Sequence, residues 1–179
     1  MTPHIKNDEN DANDAITGAV LDIGGAPNLV LRRTFAARAP EIWRELTASP
    51  RLERWIGRWE GDPKSGRVSF FMTAEGEDVP AEEYTILECD PPRRFAGDTS
   101  ASSGAWHLWF ELAEADGATT LTFGQRLNPG EDVGSIGPGW EYYLDRLVAV
   151  HEGRDAATVA WEDYYPAMQP AYERLVAGG

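Results

Sequence analysis

Three histidines, His4, His107 and His151, carry side chains that could transfer a proton near neutral pH. His4 lies in a polar N-terminal stretch, and His107 falls on the polar face of a predicted strand. His151 continues the apolar stripe of a predicted helix, four residues after Leu147. A neutral imidazole there could orient a ligand or move a proton. The alternative is a residue at a helix C-terminus that the helix dipole stabilises.

The spacing of metal-ligating and nucleophilic residues predicts neither a metal site nor a hydrolase. The sequence has no HxxxH or HExxH pair, and a single cysteine excludes a thiolate zinc site and an internal disulfide. Cys89 has no histidine near it in sequence and no GxSxG motif is present, which favours an inert, half-buried thiol. We therefore predict no metal, no cofactor and no catalytic residue.

Polar side chains on otherwise apolar faces are the remaining candidates for chemistry. Gln125 lies on the apolar face of a predicted strand, and Tyr143 and His151 lie on one helix. A buried polar atom without a partner costs about 1–3 kcal/mol. If these groups face inward, they must therefore bond to one another, to water or to a ligand. The alternative for Gln125 is a solvated position at the end of its strand.

The elements that must position these groups belong to an acidic globular protein. The 179 residues carry a formal net charge of −14, with a pI of about 4.5. Clusters of Lys and Arg are absent, so we expect neither nucleic acid nor a membrane surface as a partner. No apolar run approaches the roughly 18–20 residues that span a bilayer. With its single cysteine, the chain is predicted to be cytoplasmic.

The length predicts one domain. Residues 1–14, MTPHIKNDENDAND, have almost no apolar content, which predicts a disordered acidic tail. Residues 15–179 are predicted to form a single domain, and a homodimer remains open.

Alternating apolar residues predict an antiparallel sheet. Strands are predicted before residue 35 and within the segments GRVSFFMT, EEYTILECD and RRFAGDT. In GAWHLWFELAEADGATTLTFGQRL, two strands each present an apolar face. The first face comprises Trp106, Leu108, Phe110 and Leu112, and the second comprises Leu121, Phe123, Gln125 and Leu127. Trp109 falls on the opposite face, where we expect a partner surface or another element to cover it.

The segment PEIWRELTASPRLERWIGRW predicts two short amphipathic helices. Pro40 suits the start of the first helix, and Ser49 followed by Pro50 suits the start of the second. A stripe at i, i+3, i+4 and i+7 continues the second helix as Leu52, Trp55, Ile56 and Trp59, and Gly57 is expected to break or fray this helix. Near the C-terminus, Gly137-Pro138 and Gly153 bound a long predicted helix. Its stripe comprises Trp140, Tyr143, Leu144, Leu147, Val148 and His151.

Four segments resemble, in order and spacing, those of a known superfamily. They are LRRTFAARAPEIWRELTASPRLERWIG, ILECDPPRRFAGDT, GAWHLWFELAEADGATTLTFGQRL and GPGWEYYLDRLVAV. Over about residues 16–152 the chain resembles the SRPBCC superfamily, also called START-like or helix-grip, in the branch named after the activator of Hsp90 ATPase. The resemblance implies an α+β helix-grip (START-like, Bet v 1-like) fold. In it, a curved antiparallel sheet wraps a long C-terminal helix and two short helices follow the first main strand.

The resemblance also implies a cavity between the sheet and the long helix, which binds apolar or aromatic small molecules in many relatives. Residues predicted to line it are Trp55, Trp59, Phe70, Trp106, Leu108, Phe110, Phe123, Gln125, Trp140, Tyr143, Leu144, Leu147 and His151. The alternative is that tryptophans such as Trp43, Trp55 and Trp106 simply close the core.

Three functions follow from this sequence. The first is binding of a small apolar or aromatic ligand without chemistry. The second is a protein-interaction module, such as a chaperone co-regulator or signalling partner, which requires a contiguous exposed apolar patch. The third and weakest is an aromatase or cyclase type of enzyme.

Overall fold

A computed structural model describes residues 16–76, 79–100 and 104–178, so the tail predicted over residues 1–14 lies outside it. The described strands are β1 (Ala19–Ile23), β2 (Ala26–Phe35), β3 (Arg58–Glu60), β4 (Arg67–Phe71), β5 (Glu82–Asp90), β6 (Arg94–Thr99), β7 (His107–Ala115) and β8 (Ala118–Arg126). Within these residues they form one antiparallel sheet in the order β1-β2-β8-β7-β6-β5-β4-β3. The strands predicted from alternation are therefore present.

The described helices are α1 (Ala39–Thr47), α2 (Ser49–Leu52), α3 (Val133–His151) and α4 (Gln169–Ala177). The long helix α3 packs across β2, and α4 packs on α3 and β1. Short 3-10 turns at Pro63–Ser65, Thr73–Glu75, Ala156–Thr158 and Trp161–Asp163 connect the other elements. The α+β helix-grip architecture is confirmed.

A tight hairpin joins β1 to β2. Gly24 and Gly25 form its two-residue loop, and both have positive φ angles, of 64° and 81°. A type I′ turn requires positive φ at both central residues, and its twist matches that of the flanking strands. The Gly-Gly pair therefore sets the β1–β2 register, in which Ile23 pairs with Ala26.

The inner face of the sheet carries the apolar residues that the alternation predicted. Phe95, Phe110 and Phe123 lie side by side on β6, β7 and β8. Two residues away along each strand, and therefore on the same face, Gly97, Leu108 and Gln125 form the next row of neighbours. Because these rows face α3 and the α1–α2 segment, they supply the main apolar surface of the interior.

The second short helix is shorter than predicted. Helix α2 ends at Leu52, residues 53–56 form a turn, and Trp59 belongs to β3. At Gly57 the backbone runs so close to the Phe71 carbonyl that a side chain would not fit. Pairing of Arg58 with Phe71 takes the chain into the sheet and ends the helical path there.

Helix α3 begins at Val133, earlier than the predicted start at Gly137-Pro138, and Pro138 lies inside the helix. The reason is the contact with α4. The Tyr172 ring lies against Gly137, and the Glu173 side chain lies against Gly134, so closely that a Cβ at either glycine would clash. This packing stabilises a helical turn that Gly and Pro would otherwise disfavour.

Glu141 ties the N-terminal segment, β2, α3 and α4 together. Its carboxylate accepts hydrogen bonds from the Thr17 backbone N–H, from the Thr17 hydroxyl at 2.7 Å and from the Tyr172 hydroxyl at 2.7 Å. It also pairs with the Arg33 guanidinium at 2.7 Å and is only 2% exposed. Burial alone would raise the pKa of Glu141, but the hydrogen bonds from Tyr172, Thr17 and Arg33 hold that pKa below its ordinary value.

Candidate functional site

A cavity of about 360 Å³ lies between the inner face of the sheet and the helices. This volume falls at the lower end of the roughly 300–1,000 Å³ that is typical of small-molecule sites. The cavity lies under α1 and α2, on the β3–β6 side of the sheet, and touches α3 only at Trp140 and Leu144. Its wall comprises Trp43, Leu46, Thr47, Leu52, Trp55, Ile56, Trp59, Pro63, Val68, Phe70, Tyr84, Ile86, Cys89, Phe95, Leu108, Trp109, Phe110, Phe123, Trp140 and Leu144.

A row of aromatic rings forms the floor on the sheet. Tyr84 stacks on Phe95 at 6.0 Å between ring centroids, and Phe95 stacks on Phe110 at 5.5 Å. Trp43 from α1 continues the row, tilted against Phe110 at 5.4 Å. The Tyr84 ring occupies the space where Gly97 has no side chain, so this glycine lets the ring lie down on the sheet.

Backbone carbonyls of α1 hold Trp55 and Trp59 through the indole N–H groups of these two residues. Trp55 donates to the Glu45 carbonyl at 3.0 Å, and Trp59 donates to the Thr47 carbonyl at 2.8 Å. The Ser49 hydroxyl fixes the backbone of Trp59, donating to its carbonyl at 2.7 Å and accepting from its N–H at 2.9 Å. These bonds anchor the rings in position, because each buried indole N–H is satisfied by the protein itself.

The α3 side of the cavity is closed by Trp140. Its indole N–H donates to Gln125 Oε1 at 2.6 Å, and its ring lies 4.4 Å from Phe123 between centroids. Gln125 is fully buried, and its Nε2 has no hydrogen-bond partner among the described residues. The predicted inward orientation of Gln125 is thus present, but its amide orients Trp140 and lies outside the cavity wall.

The cavity is uncharged. Its wall consists of apolar and aromatic side chains with Thr47 and Cys89, and no acid, base or cation is among them. The Thr47 hydroxyl donates to the Trp43 carbonyl at 2.7 Å. Cys89 borders the cavity but is exposed as a whole residue. Partial burial of its thiol, together with the Asp90 charge, raises the pKa of Cys89. The thiol therefore stays protonated and weakly nucleophilic at neutral pH.

Eight of the residues named from the sequence as ligand-binding candidates lie in the wall of this cavity. They are Trp55, Trp59, Phe70, Leu108, Phe110, Phe123, Trp140 and Leu144. The others lie outside the wall, and the structure gives a reason for each.

Leu147 and His151 are too far along α3. Leu147 is fully buried in the cluster that includes Leu29 and Leu31, and the His151 ring packs edge-on against Phe35 at 5.2 Å. The C-terminal end of α3 packs on β2 through the contact of Phe35 with His151, so neither Leu147 nor His151 reaches the cavity. The reading of His151 as a residue at a helix C-terminus fits this position.

Tyr143 and Trp106 also lie beside the cavity rather than in its wall. The Tyr143 hydroxyl donates to Glu75 at 3.2 Å, which turns it toward the Thr73–Glu75 turn. Burial and the Glu75 carboxylate raise the pKa of Tyr143, so this hydroxyl stays protonated. Trp106 packs behind Trp140, at 6.5 Å between ring centroids.

The sequence predictions missed several wall residues on α1 and on the far strands. The clearest are Trp43, Val68, Tyr84, Ile86 and Phe95. The alternation of Tyr84 and Ile86 along β5 was a usable signal. The strongest apolar stripes lie on β7, β8 and α3, and they place the predicted cavity closer to the long helix than the structure does.

Trp109 borders the cavity from within β7, but its side chain packs on the outer face, as its alternation predicted, and the residue is only 7% exposed. Its ring lies on Gly124 and packs with Val30 and Ala96. The indole N–H donates to Asn28 at 3.0 Å. Neighbouring strands of its own sheet therefore cover Trp109, and no partner surface is needed to bury it.

In the part of the chain that the structure describes, no three His, Cys, Asp or Glu side chains are placed to hold a metal ion. The described helices also include none with the length and hydropathy to cross a bilayer. The two described histidines lie apart, with His107 bonded to Asp98 at 2.7 Å and His151 packed on Phe35. His4 lies outside the described residues.

A known protein family matches most of the described chain. The model of the Activator of Hsp90 ATPase homolog 1-like protein family matches residues 36–152, from the end of β2 through α3. The chain belongs to this family. The matched range contains every residue of the cavity wall, so the site is built within the segment that defines the family. No curated protein sequence matches the chain.

Solved structures of the same fold cover nearly the whole chain. CalU16 from Micromonospora echinospora is 21% identical, with a TM-score of 0.66 over 89% of this chain and 96% of its own. A conserved protein of unknown function from Enterococcus faecalis is 18% identical, with a TM-score of 0.69 over 95% and 97%. DynU16 from the dynemicin biosynthetic locus is 19% identical, with a TM-score of 0.63 over 72% and 49%. At these identities the relatives establish the fold alone.

Proposed function

We propose that this protein binds a small apolar or aromatic molecule in the cavity between α1, α2 and the inner face of the sheet. The observation that carries the proposal is an uncharged, aromatic-lined space of about 360 Å³. Such a preformed site gains affinity mainly by removing apolar ligand surface from water.

The contrast between the two halves of the interior supports this proposal. Around β2, β8 and the C-terminal half of α3, the side chains of Leu29, Leu31, Leu121 and Leu147 are fully buried. Protein interiors normally pack this tightly. Beneath α1 and α2 the inner face of the sheet is instead separated from the helices by the apolar cavity.

The alternatives have less support. The large hydrophobic residues exposed among the described residues are five, namely Leu21, Ile23, Leu87, Trp161 and Val176. Leu21 and Ile23 share β1, whereas Leu87 lies on β5, with β2, β8, β7 and β6 between them. A protein-interaction module needs a larger contiguous patch than a pair of residues on one edge strand. The cavity wall also offers no acid–base pair for a cyclase. The single cysteine is consistent with a cytoplasmic setting.

Two matched substitutions test the proposal. Leu108→Trp places an indole in the cavity, where space exists, and we expect a thermal midpoint close to that of the wild type. Leu121→Trp adds the same volume to the closed half, where overpacking costs typically 1–3 kcal/mol. Binding is followed by quenching of tryptophan fluorescence with the neutral aromatic probe 9-fluorenone.

The expected result is micromolar binding to the wild type, and its loss in Leu108→Trp without loss of stability. The proposal fails if the wild type shows no saturable binding. It also fails if Leu108→Trp is destabilised as strongly as Leu121→Trp, because the space would then be closed in solution.

A further inference from the structure

The cavity wall contains a partly exposed hydroxyl group without a protein partner among the described residues. Tyr84 lines the wall, and its hydroxyl makes no hydrogen bond to any described residue. The hydroxyl oxygen is not fully enclosed, so a solvent-sized molecule can touch it. The hydroxyl therefore remains available to a molecule inside the cavity.

Most other donors in the wall are already used. The indole N–H groups of Trp55, Trp59, Trp109 and Trp140 all donate to protein oxygens. Trp43 differs, because its N–H has no partner within the described ranges. An indole nitrogen can only donate, so it requires an acceptor as well.

The Tyr84 hydroxyl is also held in its donor form. Burial, with the negative charge of Asp98, raises the pKa of Tyr84 well above its ordinary value. At neutral pH the group carries its proton, so it can donate to a neutral acceptor. A ligand that covers this hydroxyl excludes solvent from it and must supply an acceptor, because a donor left buried without a partner is unfavourable.

The charge pattern restricts which acceptor enters. The wall contains no Lys, Arg or His, and the chain carries a net charge of −14. A carboxylate placed in this cavity would lose its hydration without gaining a counter-charge. Long-chain fatty acids and other anions are therefore disfavoured relative to neutral acceptors.

The ring row adds a requirement for shape. Tyr84, Phe95 and Phe110 have nearly parallel ring planes, at interplanar angles of 27° and 17°, and together form an aromatic surface. Flat aromatic molecules pack well on such a surface, in the offset stacks that aromatic pairs prefer.

Building on the proposed function, we propose that the ligand is a neutral, planar aromatic molecule with a carbonyl-type oxygen that accepts a hydrogen bond from the Tyr84 hydroxyl. The near-parallel rings of Tyr84, Phe95 and Phe110 favour an aromatic ligand that can stack on them. The unpartnered Tyr84 hydroxyl favours a ligand with an acceptor oxygen, and the uncharged wall disfavours acids.

The test compares 9-fluorenone with fluorene, which has the same rings and a methylene group in place of the carbonyl. Affinities for both probes are measured for the wild type, for Tyr84→Phe and for the control Tyr143→Phe. The control removes a hydroxyl that bonds to Glu75, outside the cavity wall. Palmitate serves as the anionic probe.

We expect Tyr84→Phe to weaken fluorenone binding roughly threefold to tenfold, the worth of one hydrogen bond, and to leave fluorene binding unchanged. Tyr143→Phe should change neither. Equal effects of Tyr84→Phe on both probes, or no effect on either, would overturn the inference while leaving the binding function intact. Palmitate binding as tight as that of fluorenone would overturn the preference for neutral ligands. Failure of the wild type to bind any probe would remove both proposals.

A second readout does not depend on the folding of a variant. The infrared carbonyl stretch of fluorenone bound to the wild type should lie at lower wavenumber than in hexane, because a donated hydrogen bond weakens the carbonyl bond. A stretch at the hexane value would mean that the bound carbonyl has no donor.

Discussion

Replacing Glu141 with glutamine removes the charge from a buried junction without changing its shape. The carboxylate is 2% exposed and contacts Arg33, Thr17 and Tyr172. A glutamine side chain keeps one acceptor oxygen and substitutes an NH₂ group for the other. That NH₂ group faces donors, so it repels partners that the carboxylate attracts.

The size of the effect follows from burial. Breaking a buried ion pair by changing one partner costs typically 3–5 kcal/mol. Arg33 keeps a second partner, Asp145 at 2.8 Å, which places the loss at the lower end, about 3 kcal/mol. For a chain of this length each kcal/mol lowers the thermal midpoint by about 2–4 °C, so the midpoint should fall by roughly 6–12 °C.

Urea unfolding at pH 7, followed by tryptophan fluorescence, measures this loss. Glu83→Gln is the matched control, since Glu83 pairs with Arg67 at 3.6 Å with both side chains more than half exposed. Exposed pairs contribute about 0–1 kcal/mol. The reasoning is refuted if Glu141→Gln costs less than about 1 kcal/mol, or no more than the control.

Two further predictions concern the pH dependence of the Glu141 contribution and the packing of Trp109 on Gly124. Because the pKa of Glu141 is lowered in the folded state, its contribution is complete above its ordinary pKa of about 4.3 and is lost as the pH falls through the lowered value. The stability gap between wild type and Glu141→Gln should therefore be constant from pH 7 to about pH 5 and narrow in more acidic urea titrations; a gap that widens would contradict the assignment. Gly124→Ala places a methyl group where the Trp109 ring lies, so we expect a loss of about 1–3 kcal/mol and a changed near-ultraviolet circular dichroism spectrum. Unchanged stability would mean that the ring does not rest on Gly124.

Much of the architecture could be predicted because local patterns agree with the fold. The alternation along β7 and β8 identified the inner face of the sheet. Where the prediction differed, a tertiary contact decided. The approach of Gly57 to Phe71 ended α2 early, and the contact of Tyr172 with Gly137 extended α3 past Pro138.

The position of the cavity could not be read from the same patterns. A stripe states which side chains face inward, but not whether opposing elements meet or leave a gap. Leu144 and Leu147 belong to one stripe of α3, yet only Leu144 borders the cavity. The difference arises because β2 contacts the far half of α3, whereas the β3–β6 side curves away beneath α1 and α2. The donors left unpartnered at Tyr84 and Trp43 are likewise visible only once the bonds of the other lining residues are known.

The indole N–H resonances of the seven tryptophans test the central claim, a ligand-accepting space beneath α1 and α2, most directly. In ¹H–¹⁵N spectra recorded while fluorenone is added, we expect the signals of Trp43, Trp55, Trp59 and Trp140 to move. The signal of Trp161, which is 39% exposed and not part of the wall, should stay in place. Lining signals that remain fixed at saturating probe, or shifts confined to Trp161, would contradict the account.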